Sequence, residues 1–220
     1  MQMSFFIVLE GIDGCGKTTQ GALLADNMRQ RGLSVYETGE PSSGATGKKL
    51  RRILSGKEQA DPAEIPALFV QDRLEHIAEL EKFTGDIIIC DRYILSNCAY
   101  NAADGVTIAD IAGANRRCAE IFPPDVTIFF EIPPETALAR IDRRLHSRKS
   151  KDHRREIFET EEKLRKVAAS YREIIGDPAR FCGLFGKLIT VNAALPVGEV
   201  AEQVKTALSS LLSENFSFFE

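Results

Sequence analysis

The feature that most constrains the fold is a glycine-rich turn that follows a short apolar run near the amino terminus. Phe5–Leu9 holds five apolar residues in succession, which is typical of a strand buried on both faces. The next residues, "GIDGCGKT", fit the spacing G-x-x-x-x-G-K-[ST]. Glycines at these positions let backbone N–H groups turn inward on a phosphate, and the following helix adds its positive end. The pattern predicts a phosphate-binding loop.

The residues of this loop have distinct predicted roles. Lys17 would reach the outer phosphates, and the Thr18 hydroxyl would take one position around Mg²⁺. The alternative is a glycine-rich turn that binds nothing, and the strand-to-helix context argues against it. The predicted nucleotide-binding residues are Gly11, Ile12, Asp13, Gly14, Cys15, Gly16, Lys17, Thr18 and Thr19.

Length and composition exclude several classes of protein. The 220 residues suit one domain, which we predict to span 1–220. The net charge of −4 argues against a protein that binds nucleic acid through its phosphates. The five cysteines are scattered without C-x-x-C spacing, so neither a zinc site nor a disulfide framework is expected. No apolar run reaches membrane-spanning length and the start lacks a signal-peptide pattern, so we expect a cytoplasmic protein without a membrane partner.

Short apolar runs alternate with longer helical segments, a rhythm that predicts an α/β fold with a parallel sheet. The predicted strands are Phe5–Leu9, Ser34–Thr38, Ile87–Cys90, Val126–Ile132 and Leu188–Val191. The predicted helices run from Lys17 to just before Gly32, from an Asp61 N-cap with Pro62 at its first position towards Phe83, from a Thr107 N-cap to Ile121, and over Glu199–Leu212.

A second acid is expected beside the loop, at the end of a neighbouring strand, to organise Mg²⁺. The stretch "DIIICDRY" supplies it, because three isoleucines and a cysteine lead into Asp91 and Arg92. In an open parallel sheet, ligands bind beyond the carboxyl ends of the strands. We therefore expect Asp91 and Arg92 to stand next to the phosphate loop, although a surface arginine paired with Asp91 is the alternative.

One segment concentrates positive charge. From Arg140 to Arg155 there are eight lysines and arginines against two acidic residues. A solvated helix face would explain this charge equally well, but an arginine-rich segment beside a phosphate loop is typical of a lid over phosphates. We predict such a lid over residues 143–157, with Arg148, Arg154 and Arg155 as candidate catalytic arginines.

Four motifs in order resemble the thymidylate kinases: "GIDGCGKTTQ", "EP" with a downstream "GKKLRRIL", "LFVQDR" and "DRYILSNCAY". The resemblance extends from about Phe6 to Tyr171. It implies a three-layer P-loop kinase fold with a five-stranded parallel sheet flanked by helices. It also implies that the chain phosphorylates dTMP with MgATP and assembles as a homodimer.

The resemblance implies roles for residues outside the loop. Phe69 would stack on thymine, Arg73 one helical turn later would donate to a base carbonyl, and Arg92 would hold the acceptor phosphate. The implied substrate-binding residues are Glu40, Arg51, Phe69, Arg73, Arg92, Ser96, Asn97 and Tyr100. The implied catalytic residues are Asp13, Lys17, Asp91 and Arg92 together with the lid arginines, and Mg²⁺ would lie at Thr18 and Asp91, largely through water.

The chain departs from the family pattern at several positions. Gly39 stands where arginine is frequent, and Asn101 stands where glutamine is usual. Gly14 occupies a loop position that is basic in some members, so the chain resembles the members that draw their arginine from the lid. Two rivals remain open: a kinase of another pyrimidine monophosphate (dUMP, UMP or CMP), and a P-loop switch protein, although no guanine-reading N-K-x-D element is present.

Overall fold

The architecture is built around one parallel β-sheet. A computed structural model describes residues 4–147, 160–181 and 183–216. Within them five strands pair in the order β2-β3-β1-β4-β5, every pair parallel. The strands are β1 (Phe5–Glu10), β2 (Val35–Gly39), β3 (Ile87–Asp91), β4 (Val126–Glu131) and β5 (Lys187–Asn192).

The central strands are apolar because both of their faces are covered. All six residues of β1 are buried, and so are the first four of β3 and the first five of β4. The β1–β3 register sets Leu9 opposite Asp91, so the two strands end side by side. The chain therefore leaves β1 and β3 at neighbouring points of one sheet edge, where ligands of open α/β sheets bind.

Helices cover both faces of this sheet. In the described part of the chain α1 packs against α8, and α4 packs against α5 and α7. None of these helices is long and apolar enough to cross a membrane. Their bounds are α1 (Lys17–Gln30), α2 (Ala45–Leu54), α3 (Ile65–Leu80), α4 (Ile94–Ala102), α5 (Ile108–Ile121), α6 (Pro134–Ser147), α7 (Glu161–Gly176) and α8 (Val197–Asn215).

The structure confirms the predicted α/β class, the five parallel strands and the bounds of α1 and α5. Helix α1 begins at Lys17 and stops before Gly32, which has φ +86°. The Thr107 side chain caps α5 by accepting a hydrogen bond from the Asp110 N–H. Helix α8 starts two residues before its predicted bound and ends three after it.

The predicted start of α3 at Asp61 and Pro62 is wrong. The Asp61 carboxylate accepts a hydrogen bond from the Ala63 N–H at 2.9 Å, and its carbonyl accepts one from Glu64. These bonds close a local turn, which competes with helix formation. The helix begins only at Ile65, with Pro66 in its first turn.

The packing of α2 generates a stability prediction. A Cβ atom on Gly47 would lie 2.1 Å from the Ser42 carbonyl oxygen and 2.6 Å from the Ser42 nitrogen. We expect Gly47→Ala to lower the free energy of unfolding by about 1–3 kcal/mol, measured by urea denaturation. Gly113→Ala on α5 is the control, since a Cβ there meets nothing within 4 Å, and it should raise stability by about 0.5–1 kcal/mol. Equal stabilities for the two variants would contradict the close approach.

Candidate active site

A cleft of about 1210 Å³ opens at the carboxyl edge of the sheet. It reaches from α2 past the phosphate loop to the space between α6 and the start of α8. Its lining brings together segments that are far apart in sequence: Asp13–Gln20, Gly39–Pro41, Arg51, Leu54, Ser55, Asp91, Arg92, Arg140, Ile141, Arg143, Arg144, Ala193, Leu195–Val197 and Val200.

The phosphate loop has the open, glycine-dependent backbone that its sequence predicts. Gly14 and Gly16 have φ angles of +81° and +100°, which side-chain-bearing residues rarely adopt. The Lys17 ammonium donates to the carbonyls of Gly11 at 2.8 Å and Ile12 at 3.2 Å. Of the predicted nucleotide-binding residues, 13 to 19 line the cleft, whereas Gly11 and Ile12 lie behind it.

The predicted magnesium ligands meet at the edge of this loop. The Thr18 hydroxyl donates to Asp91 Oδ2 at 2.8 Å, and Asp91 Oδ1 is buried without a hydrogen-bond partner among the described residues. An unpaired carboxylate oxygen beside a hydroxyl is a donor set that suits Mg²⁺. No cluster of three or more His, Cys, Asp or Glu side chains forms a protein-only metal site within 4–147, 160–181 and 183–216. The pair fits an ion that takes its remaining ligands from phosphates and water.

Asp13, Arg92 and Tyr100 form a hydrogen-bonded group beside the loop. The Arg92 guanidinium is paired with Asp13 Oδ1 and donates to the Tyr100 hydroxyl oxygen at 3.0 Å. Tyr100 in turn donates to Asp13 Oδ2 at 2.7 Å, and the Arg92 guanidinium lies 4.7 Å from the centre of its ring. The structure thus brings three predicted site residues together from the loop, the end of β3 and α4.

The charges in this group set its protonation. Burial would raise the pKa of the Asp13 carboxyl, but the positive charges of Arg92 and Lys17 and hydrogen bonds from Tyr100 and Arg92 lower it below its usual value. Burial raises the pKa of the Tyr100 hydroxyl well above its usual value, so Tyr100 remains a neutral donor. An ionised Asp13 is therefore held between two donors.

Arg92 reaches this position through an unusual backbone. Its φ angle is +74°, the one positive φ of a non-glycine residue in the described part of the chain. The conformation costs about 1–2 kcal/mol and needs support from its neighbours. That support comes from the Arg92 N–H, which donates to Leu9 O at 2.9 Å, and from the Tyr93 N–H, which donates to Glu10 Oε1 at 2.9 Å.

Glu10 is a site residue that the sequence analysis missed. Its carboxylate is fully buried and accepts from the backbone N–H groups of Tyr93 and Ser96 at the start of α4. It also accepts from the hydroxyls of Ser96 and Tyr171, the latter at 2.8 Å. Ser96 was predicted to bind substrate, but its hydroxyl is hydrogen-bonded to Glu10, Tyr171 and Arg92. Nothing in the local sequence marks Glu10, since its partners lie 83 to 161 residues away.

A second buried polar group lies behind the α2 end of the cleft. The Arg73 guanidinium is 1% exposed and is paired with Glu40, with Asn115 and with the face of Tyr93 at 4.9 Å. Glu40 Oε1 lies 3.3 Å from His76 Nδ1. Glu40 lines the cleft, whereas Arg73 Nε is buried with no hydrogen-bond partner among the described residues.

The remaining residues predicted to bind substrate lie on α2, α3 and α4. Arg51 lines the cleft and donates to the Pro41 carbonyl. Phe69 is half-buried on α3, one turn before Arg73, and Asn97 is buried on α4. Of the predicted lid, Arg143 and Arg144 lie on α6 and line the cleft. Arg148, Arg154 and Arg155 lie outside the described residues.

The sequence analysis also predicted no role for the residues at the α6–α8 end of the cleft. Arg140 on α6 donates to three successive backbone carbonyls between β5 and α8: Ala193 at 2.8 Å, Ala194 at 3.2 Å and Leu195 at 3.4 Å. The Gln20 amide on α1 donates to Val197 O at 2.9 Å. These bonds shape the wall opposite α2. Only its position in the charged run distinguished Arg140.

Comparison with known proteins identifies the family. The sequence model of the family described as thymidylate kinase matches residues 9–204. The chain belongs to the thymidylate kinase family. It is 42% identical over 176 residues to a probable thymidylate kinase of Methanococcus aeolicus, an alignment that covers 80% of this chain and 81% of the relative.

Two further relatives named as thymidylate kinases match three quarters or more of this chain. A probable thymidylate kinase of Thermococcus kodakarensis is 34% identical over 220 residues, which covers 95% of this chain and 99% of the relative. The thymidylate kinase of Desulfotalea psychrophila is 33% identical over 171 residues, covering 76% and 80%. These findings confirm the predicted resemblance, the three-layer P-loop kinase fold and the predicted enzyme class: the chain is a nucleoside-monophosphate kinase, a phosphotransferase.

The Asp13–Arg92 pair predicts a pH-dependent stability. The pKa of Asp13 is lowered on folding, so its contribution is complete above the unfolded-state pKa and is lost as pH falls through the folded-state pKa. We expect Asp13→Asn to cost about 1–3 kcal/mol at pH 7. The difference from wild type should stay constant down to about pH 5 and shrink below about pH 4.

The measurement is urea unfolding of both proteins between pH 2.5 and 7. Asp26→Asn on the exposed surface of α1 is the matched control for loss of one carboxylate. A difference between wild type and Asp13→Asn that does not change with pH would contradict a lowered pKa for Asp13.

Proposed function

We propose that the chain transfers the γ-phosphoryl group of ATP to dTMP, giving dTDP and ADP, with Mg²⁺. The observation that carries this proposal is the single cleft that the phosphate loop, the Thr18–Asp91 pair and the Asp13–Arg92 pair line together. Membership of the thymidylate kinase family supports dTMP as the acceptor and ATP as the donor. It does not favour another pyrimidine monophosphate or a nucleotide switch.

The acceptor phosphate is already ionised at neutral pH, so catalysis here is positioning and charge compensation. The loop N–H groups of residues 13 to 19 and the Lys17 ammonium would hold the donor phosphates. Arg92 and Arg51, both on the cleft, would hold the acceptor phosphate. Mg²⁺ at Thr18 and Asp91 would neutralise charge on the phosphates.

The acceptor nucleoside would lie between α3 and α4. Phe69 would stack on the thymine ring, and the unpaired Nε of Arg73 and the carboxamide of Asn97 would meet its polar edge. Tyr100, fixed by Asp13 and Arg92, would lie against the sugar and leave little room for a 2′-hydroxyl. Asp13 and Glu40 would complete the polar shell.

The donor base would occupy the opposite end of the cleft. Its walls are α6 and residues 193 to 197, which Arg140 and Gln20 hold in place. The space beside the loop is directly continuous with this end. The cleft can therefore take the donor nucleotide and bring its phosphates beside Arg51 and Arg92.

The catalytic arginine would come from the lid rather than from the phosphate loop. A Cβ on Gly14 would lie 2.5 Å from the Ala137 carbonyl oxygen of α6, so a basic side chain has no room at that position. This supports the proposal that residues 143–157 form a lid that supplies Arg148, Arg154 or Arg155.

The homodimer that the sequence predicts stays a prediction, to be tested by sedimentation velocity. Helix α4 is buried within the chain over Ile94–Asn101, so it offers no free face. Leu74 on α3 is 39% exposed, and we propose α3 as the contact surface.

The test of the proposed reaction is ADP release with MgATP and a panel of acceptors: dTMP, dUMP, UMP, CMP, AMP and none. We expect dTMP to be the best acceptor, and Lys17→Met to abolish turnover because it removes the charge beside the donor phosphates. Lys205→Met, on the exposed surface of α8, is the control. A ribonucleotide preference would overturn the sugar-side roles, and acceptor-independent turnover would overturn the kinase assignment.

The lid makes a separate prediction. Alanine at the catalytic one of Arg148, Arg154 and Arg155 should lower kcat about 10³-fold, because that arginine neutralises charge on the moving phosphoryl group. The KM for dTMP should change by less than about threefold, since the ground state does not need it. The measurement is steady-state kinetics, which give kcat and the KM for dTMP for each variant, with Arg116→Ala on α5 as the control. Equal effects on kcat and dTMP affinity would exclude the lid role.

A further inference from the structure

Asp72 on α3 is a buried carboxylate that belongs to neither of the two polar groups of the site. It is 1% exposed, and both of its oxygens accept hydrogen bonds from Ser42. Oδ2 accepts from the backbone N–H at 2.7 Å, and Oδ1 accepts from the hydroxyl at 2.5 Å. A buried carboxylate is costly unless such donors satisfy it, so the pair fixes Ser42 against α3.

The position of Ser42 determines the position of Arg51 through two contacts. The Arg51 guanidinium donates to the carbonyl of Pro41, the residue directly before Ser42. The backbone of Ser42 also lies close against α2, because a Cβ on Gly47 would be 2.6 Å from the Ser42 nitrogen. Arg51 is one turn further along the same helix. Asp72 therefore holds in place both the carbonyl that Arg51 contacts and the helix that carries Arg51.

Helix α2 depends on α3 at its amino-terminal end as well. Gly44 precedes the helix without a side chain to cap it, and the first turn contains no acidic residue. The Glu75 carboxylate of α3 accepts instead from the Thr46 N–H at 3.4 Å and from the Thr46 hydroxyl at 2.6 Å. Negative charge at this end of a helix is favourable. Carboxylates of α3 thus fix how α2 lies beside the cleft.

We propose that Asp72 is a positioning residue that holds Arg51 where it binds the acceptor phosphate. This inference rests on the proposed function, in which Arg51 and Arg92 hold that phosphate. Arg51 is exposed, and a long exposed side chain loses rotamer entropy when it binds unless its surroundings already orient it. Both hydrogen bonds of Asp72 go to Ser42, so we expect Asp72 to affect binding of the phosphate and not of the nucleoside.

Two variants and a matched control test this role. The carboxamide of Asp72→Asn has one acceptor oxygen, so its N–H group would face one of the two Ser42 donors and displace Ser42. Ser42→Ala is milder, because it removes the hydroxyl bond to Asp72 and leaves the backbone bond. Asp86→Asn is the control, since Asp86 accepts from the Ser34 N–H at 2.8 Å and the Ser34 hydroxyl at 2.6 Å, at the amino ends of β2 and β3.

The first measurement is equilibrium titration without ATP, with dTMP and with thymidine, which lacks the phosphate. In Asp72→Asn we expect the Kd for dTMP to rise about tenfold and the Kd for thymidine to change by less than about twofold. In Ser42→Ala the Kd for dTMP should rise about threefold, again without an effect on thymidine. Asp86→Asn should change neither Kd. At saturating dTMP, kcat of Asp72→Asn should stay within about threefold of wild type.

The second measurement is a double-mutant cycle that shows whether Asp72 acts through Arg51. Arg51→Ala alone should raise the Kd for dTMP at least about tenfold, because a charge-assisted bond to the phosphate is lost. In the Arg51→Ala background, Asp72→Asn should raise this Kd by less than about twofold, because the side chain that it positions is already absent. If Asp72→Asn does not fold, Ser42→Ala takes its place in the cycle.

The outcomes distinguish this inference from the proposed function. If wild type neither binds nor phosphorylates dTMP, the proposed function fails and this inference fails with it. If wild type phosphorylates dTMP, three results overturn only the role of Asp72: an unchanged Kd for dTMP in both variants, an equal loss of thymidine binding, or effects of Asp72→Asn and Arg51→Ala that multiply. A change as large in Asp86→Asn would also overturn that role.

Discussion

The carboxylate of Glu10 accepts hydrogen bonds from two backbone N–H groups at the start of α4 and from the hydroxyls of Ser96 and Tyr171. Burying a carboxylate is costly unless such donors satisfy it, and each bond to a charged group contributes about 1.5–3 kcal/mol. Glu10 is the last residue of β1, and the phosphate loop follows it directly. One buried carboxylate therefore connects the loop to α4, and the proposed acceptor side of the site depends on the distance and angle between them.

The other residues of the proposed acceptor side depend on this connection between the phosphate loop and α4. Fixed backbone on both sides of Arg92 sustains its left-handed conformation, which directs the guanidinium to Asp13 and Tyr100. Each of these groups is hydrogen-bonded to another, so little reorganisation would remain if the proposed acceptor bound here. A reaction that needs positioning and charge compensation rather than a strong base gains most from such an arrangement. The pair that Arg73 of α3 forms with Glu40, the residue after β2, is prepared in the same way, with its charges matched before any ligand arrives.

Sequence reasoning worked where the responsible contacts are local. The strand before the loop, the loop spacing and the Thr107 cap each follow from neighbouring residues, and the structure places them as predicted. The start of α3 failed because Asp61 bonds its own turn instead of capping a helix. Glu10 and Arg140 were missed because their partners are distant in sequence, and side-chain chemistry alone cannot indicate which distant donor or carbonyl will arrive. The motifs thus predicted the candidate phosphate-binding end of the site, whereas the buried residues that support it became visible only in three dimensions.

Arg140 donates hydrogen bonds to three main-chain carbonyls, and this affects which positions can be substituted among related chains. A carbonyl is present whatever side chain its residue carries, so the exposed Ala194 can be replaced while its carbonyl still accepts from Arg140, whereas Ala193 is buried in the core. The part of the cleft beside the phosphate loop is held by side chains instead: Asp13 and Arg92 pair with each other and with the Tyr100 hydroxyl. Substitutions should therefore accumulate unevenly around one cleft, more freely at the exposed position 194 than around Arg92.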